Sequence, residues 1–205
     1  ARMAGRSIPI HPVSNTYVVT SHSDTIPALA NMRDPDAGTY YKSETSALVF
    51  GGLSAATARP WLDPSQIPQE FAFKLLPENW EEFLPLLEAG AEMTPVLRDI
   101  GLQRLYNGPE AFTPDHTPVV GWTSESRSLF TVAGMNGSGV GLAGGMGEVA
   151  AAMVLGRDPD VDVTELAPSR FWAGVGDESW VRAAVAKSVL HHFSVSSLQA
   201  ASHLH

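Results

Sequence analysis

The residues with the clearest capacity for chemistry lie at 129–156, LFTVAGMNGSGVGLAGGMGEVAAAMVLG. Glycines at 134, 137, 139, 141, 144, 145 and 147 leave much of this stretch without a Cβ. Such a backbone can turn sharply and approach a flat or charged group closely. Residues 129–133 form an apolar strand candidate, and Ala, Met and Val then recur at helical spacing up to Leu155. A helix starting after the turn aims its unpaired N–H groups and positive dipole end at one place, which suits an anion or an electron-rich carbonyl. The expectation is one wall of a cofactor site. Close packing of a helix on a sheet through glycine explains some of these residues, though not so many in a row.

Two other constellations compete for attention. Gly139, Gly141 and Gly144 fit the G-x-G-x-x-G dinucleotide fingerprint, after a strand and before a helix. That fingerprint needs a second parallel strand ending in an acid. Glu165 stands near the required distance, but only Val161 and Val163 lend its segment strand character. In FTPDHTP, Asp115 is better placed to cap the Thr113-Pro114 turn than to act as a base beside His116. His191, His192, His203 and His205 crowd the end of the sequence without acidic or cysteine partners at metal spacing, so no metal site is expected. GxSxG, Walker A and HExxH patterns are absent.

Composition narrows the classes further. With 205 residues and 44% hydrophobic content the chain can bury one sizeable core or two small lobes. A net charge of -9 with scattered basic residues argues against a nucleic-acid partner. The lack of cysteine removes disulfides, thiolate zinc sites and a cysteine nucleophile. No apolar run approaches the ~20 residues of a membrane span, and no targeting segment is expected at the start. A first residue other than Met suggests a processed product or part of a longer gene.

The elements that must position these residues follow from periodicity. Residues 1–7 read as the end of a helix closed by Gly5. Pro9 and Pro12 restrict the next stretch to an extended or edge conformation, and 17–20 is a strand. Residues 21–38 read as loop, 39–42 and 47–51 as a hairpin around Ser43-Glu44-Thr45, and 55–68 as connection. Helices are expected over 69–76 and 79–93, the latter kinked or restarted at Pro85. Strands follow at 102–106 and 119–122, separated by a loop over 107–118. A last helix is expected over 179–193.

Four segments in this order, IPIHPVSNTYVVT (8–20), MRDPDAGTYYKSETSALVFGG (32–52), NGPEAFTPDHTPVVG (107–121) and residues 129–171, resemble the FAD-dependent amine oxidoreductases of the D-amino-acid-oxidase-like superfamily. The sarcosine and dimethylglycine dehydrogenases are the most similar subgroup. The likeness covers about 1–171, with GPEAFTPDHTPVVG and AGMNGSGVGLAGGMG its most specific parts. It implies an α+β fold: 1–6 the end of a helix from an upstream FAD-binding part, 7–105 a largely antiparallel substrate domain, 106–160 the strand, glycine-rich turn and helix of the FAD domain, and 161–205 a divergent tail.

On this resemblance the cofactor is FAD, and the G-x-G-x-x-G spacing is coincidental. Hydride transfer to the flavin leaves negative charge at N1 and the C2 carbonyl. The backbone N–H groups of Met135, Asn136, Gly137, Ser138, Gly139 and Val140 are the implied stabilisers, with the Asn136 and Ser138 side chains adding hydrogen bonds. Tyr40 would line the substrate pocket and Tyr41 the core; from the strand alone, both rings could simply be packed. Asn15 stands where related enzymes carry a histidine, so titration near neutral pH is lost there. Arg33 either pairs a substrate carboxylate or is a surface residue. The implied substrates are small N-methyl amino acids, with an electron-transfer flavoprotein as acceptor and a mitochondrial matrix location. The resemblance also implies that the chain is part of a longer enzyme and inactive alone. The competing reading is a non-catalytic relative of the pyruvate dehydrogenase phosphatase regulatory subunit.

Overall fold

The computed structural model describes residues 4–52, 58–123, 128–171 and 175–189. The described residues divide into two compact units, one of 13–52, 58–61, 68–109 and 189, the other of 4–12, 62–67, 110–123, 128–171 and 175–188.

The first unit is organised on a five-stranded, largely antiparallel sheet. Its strands are β1 (His11–Thr20), β2 (Met32–Asp34), β3 (Thr39–Glu44), β4 (Ala47–Gly52) and β5 (Leu102–Phe112), in the order β2-β3-β4-β1-β5. The β3–β4 hairpin turns at Thr45 and Ser46, both at positive φ (41° and 62°), so a two-residue primed turn sets the pairing Glu44↔Ala47. Helix α1 (Trp80–Met93) covers one face. Asn79 caps it by accepting the Glu82 N–H at 3.2 Å, while Glu81 and Glu82 complement the dipole. Phe83 and Leu86 join Val18, Tyr41, Leu48, Phe50, Leu97 and Leu105 in a single buried cluster.

The sequence-derived boundaries need correcting here. Pro12 lies inside β1, a central strand; it is tolerated because pairing with β4 begins only at Thr16. β2 occupies part of the expected loop. β5 continues through Asn107-Gly108-Pro109 to Phe112, where punctuating residues suggested a loop. Residues 69–76 are not helical: Pro68 and Pro77 bracket them, and Phe73 adopts φ 55°. α1 runs through Pro85 without interruption.

The second unit contains the two-stranded antiparallel sheet of β6 (Val119–Trp122) and β7 (Phe130–Ala133), with α2 (Gly139–Val154) packed on it. α3 (Glu178–Val189) follows; the expected helical residues 190–193 lie outside the described residues. Glu165 falls in a 3₁₀ turn, Thr164–Leu166, rather than at a strand end. The fingerprint glycines sit within α2 itself, and β7 pairs antiparallel with β6, so this is not a dinucleotide βαβ unit.

Candidate flavin-facing turn and substrate-side sheet

β7 ends at Ala133, and the chain reverses through Gly134 (φ 69°), Asn136 (φ 51°) and Gly137 (φ 80°) into α2. Three left-handed residues within four positions make a tight turn that a chain of β-branched residues could not adopt. Asn136 is its internal anchor. It is 3% exposed, and its Oδ1 accepts the Thr113 N–H at 2.8 Å. Its Nδ2 donates to Gly134 O at 2.6 Å, and its backbone N–H to Ala111 O at 3.3 Å.

These bonds revise the roles expected within 135–140. The Asn136 side chain and N–H are used inside the protein. Ser138 N–H donates to Met135 O at 2.9 Å, closing the turn. The first helical bond is Leu142 N–H to Ser138 O, so Gly139, Val140 and Gly141 present N–H groups without intrahelical acceptors. Val140 is 99% exposed, and a Cβ added at Gly141, Gly144, Gly145 or Gly147 would meet nothing within 4 Å. Val149 is the only buried residue of α2. The helix therefore starts with open donors and a bare glycine flank. Met135, Gly137, Gly139 and Val140 are the members of the expected set whose N–H groups have no acceptor among the hydrogen bonds described above.

Asn15 and Tyr40 belong to the other unit. Tyr40 pairs with Gly51 across β3–β4, and Gly51 pairs with Tyr17 across β4–β1. A Cβ on Gly51 would lie 2.5 Å from the Tyr40 hydroxyl and 2.8 Å from Tyr17 Cβ. Gly51 thus leaves the space over which the Tyr40 ring lies. Tyr17 stacks on Tyr106 with centroids 4.8 Å apart and planes 12° apart, and the Arg104 guanidinium sits 4.7 Å over the Tyr106 ring. Burial raises the Tyr17 phenol above its ordinary pKa, neighbouring Tyr106 adds to the rise, and Arg104 opposes it. Asn15 precedes Tyr17 by two residues on the same strand and so faces the same way. Its Oδ1 is buried without a hydrogen-bond partner. Arg33 pairs with Tyr40 in the next register position, and burial lowers its pKa. Tyr41 points to the opposite face, 4% exposed, donating to Gly90 O at 3.2 Å. Alternation requires this division of the two rings.

Sequence reasoning missed the tyrosine row of Tyr17 and Tyr106, although strand alternation carries a signal for it. It also missed Arg170, whose partner Asp115 lies 55 residues away and leaves no local signature. Asp115 accepts Arg170 Nε at 2.7 Å and Nη2 at 3.1 Å, and the Thr117 N–H at 3.1 Å. Burial pushes this carboxyl upward, but those hydrogen bonds and the arginine charge bring it below its ordinary range. Its role is to hold a turn, as a capping residue does. Among the described residues, no group of three or more His, Asp or Glu could hold a metal ion.

The first unit thus carries an antiparallel sheet with a row of aromatic residues, and the second a strand–glycine turn–helix whose first N–H groups are open. Residues 1–153 match the FAD dependent oxidoreductase family, and the chain belongs to it. FAD is the cofactor of that family. Human mitochondrial sarcosine dehydrogenase is 33% identical over 95% of this chain and 21% of its own length. Human mitochondrial dimethylglycine dehydrogenase is 29% identical over 83% of the chain and 20% of its own length. The mouse mitochondrial pyruvate dehydrogenase phosphatase regulatory subunit is 30% identical over 86% and 20%. The chain therefore spans about a fifth of the length of these relatives. Glycine oxidase from Geobacillus kaustophilus shares the fold, with TM-score 0.66 and 21% identity over 83% of this chain and 42% of that one.

Proposed function

We propose that this chain forms the substrate-side sheet and the flavin-facing turn of an oxidoreductase that demethylates small N-methyl amino acids. Residues 7–105 are assigned to the substrate side and 106–160 to the flavin side. The observation that carries this reading is the open start of α2, where Gly139, Val140 and Gly141 offer unpaired N–H groups beside a bare glycine flank.

Bound FAD supplies the acceptor for the two electrons and the hydrogen removed from an N-methyl carbon. The chain's own contribution is electrostatic and positional. The N–H groups of Gly137, Gly139 and Val140, with the α2 dipole behind them, would hold the electron-rich edge of the ring and stabilise negative charge there. Met135 shapes the turn by accepting the Ser138 N–H. Tyr40 orients the amine or carboxylate of the substrate through its phenol. Asn15, on the same strand face as Tyr17, is an amide, so it can position neighbouring groups without taking a proton from the amine. Water then hydrolyses the oxidised substrate to formaldehyde and the demethylated amine. An electron-transfer flavoprotein is the proposed acceptor, and the mitochondrion, as in the names of the relatives, the proposed location.

The test is the anaerobic absorbance spectrum of this chain purified within the longer enzyme that the resemblance implies. Flavin absorbance that bleaches with sarcosine or dimethylglycine is the expected result. A folded, colourless protein that takes up no added FAD overturns the reading. It would favour a second one, a non-catalytic interaction subunit, for which the non-titrating Asn15 and the regulatory-subunit relative speak.

A further inference from the structure

The glycine-rich turn is tied to a residue in the segment that the sequence left without a role. Arg170 is 16% exposed on its side chain, and all three guanidinium nitrogens are engaged. Nε and Nη2 form a two-pronged pair with Asp115, at 2.7 and 3.1 Å. Nη1 donates to Leu166 O at 2.9 Å and Ala167 O at 3.3 Å, and the group lies 4.2 Å over the Phe171 ring. Nη2 also donates to Thr117 O at 2.7 Å.

Thr117 O is where the connection to the turn is made. The Thr113 hydroxyl has one proton and three acceptors near it, Thr117 O at 3.0 Å, Asn136 Oδ1 at 3.2 Å and the Asp115 carboxylate, whose pKa it helps to lower. Thr117 O, with two lone pairs, accepts from both Arg170 and the Thr113 hydroxyl, so the 113–117 turn is held from both sides. Without Arg170, Asp115 and Thr117 O lose the fork that holds that turn, and Thr113, whose N–H donates to Asn136 Oδ1 at 2.8 Å, is no longer fixed. Asn136 holds a left-handed φ of 51° and fixes Gly134 through its Nδ2. Any looseness there passes directly to Gly137, Gly139 and Val140.

We infer that Arg170 is a positioning residue for the flavin-facing turn, acting through Thr117, Thr113 and Asn136. The inference rests on the proposed flavin role of that turn. Lysine cannot substitute, because a point charge cannot serve the carboxylate and Thr117 O in one fixed fork.

The test compares Arg170→Gln, Arg170→Lys and Thr113→Val with Gly90→Ala, a core variant chosen for stability loss away from the relay. In the flavin-free protein, Arg170→Gln should speed amide hydrogen exchange at Asn136 and Gly137, and Gly90→Ala should not. In the FAD-loaded protein, Arg170→Gln should weaken FAD binding about tenfold, the scale of a slightly misplaced site, and lower the flavin midpoint potential. Arg170→Lys should recover less than half of either effect. Combining Arg170→Gln with Thr113→Val should add little to the larger single effect, since both loosen the same 113–117 turn. Unchanged exchange, affinity and potential in Arg170→Gln would overturn the inference, as would equal shifts in Gly90→Ala. Failure of the parent to bind FAD refutes the functional reading instead, and the exchange measurement still decides whether the relay exists.

Discussion

Replacing Gly51 with alanine probes the substrate-side sheet at the point where its packing is tightest. The glycine does not hold a left-handed φ, so the effect is one of contact rather than backbone strain. The new methyl would stand 2.5 Å from the Tyr40 hydroxyl, 2.6 Å from its Cζ and 2.8 Å from Tyr17 Cβ. Tyr40 can swing its ring aside. Tyr17 Cβ is bonded to the β1 backbone, so reaching ordinary contact at 3.4 Å needs roughly 0.6 Å of strand movement. Such overpacking costs about 1–3 kcal/mol. Alanine recovers roughly 0.4–1 kcal/mol by restricting the unfolded chain. From the middle of both ranges the net loss is about 1.3 kcal/mol, which lowers the melting temperature by ~3–5 °C for a chain of this size. Thermal denaturation followed by circular dichroism measures it. Adding Tyr40→Ala removes the ring clash and should return part of the loss, leaving the Tyr17 share. A Gly51→Ala protein as stable as the parent would show that the Tyr40 ring does not lie over Gly51.

Three further outcomes follow from single observations. Gly144→Ala should stabilise this chain by about 1 kcal/mol, because the added methyl meets no neighbour and alanine favours the helix interior; a lower melting temperature would mean the flank is covered. Asp115 has a depressed pKa when folded, so its contribution is present above its unfolded value and lost as pH falls through the folded one. Acid denaturation curves should therefore show the parent losing stability more steeply than Asp115→Asn below about pH 4, and parallel curves would refute the pairing with Arg170. Tyr17, raised by burial and by Tyr106, should appear in an ultraviolet titration as a phenol ionising later than the ordinary ~10. That component should vanish in Tyr17→Phe.

Local patterns were enough to place β6, β7, α1, α2 and the β3–β4 hairpin, since each has a periodicity or turn signal of its own. They erred where long-range pairing overrides punctuation. Asn107-Gly108-Pro109 reads as a turn, yet the segment stays extended because β5 pairs with β1 along the sheet. Residues 69–76 have helix-forming side chains, yet prolines at both ends leave too few residues to repay nucleation.

The sequence by itself determined that a glycine-rich turn leads into a helix whose first N–H groups are open, and that the two adjacent tyrosines of β3 face opposite ways. Those facts depend on covalent chemistry and on the period of a strand. Only the tertiary structure decided which groups of that turn are spent. It placed the Asn136 amide inward against Thr113, set Gly51 beneath the Tyr40 ring, and closed Arg170 on Asp115. Each of these pairs residues distant in the chain, and a hydrogen bond or contact between them exists only once packing has fixed both ends in place.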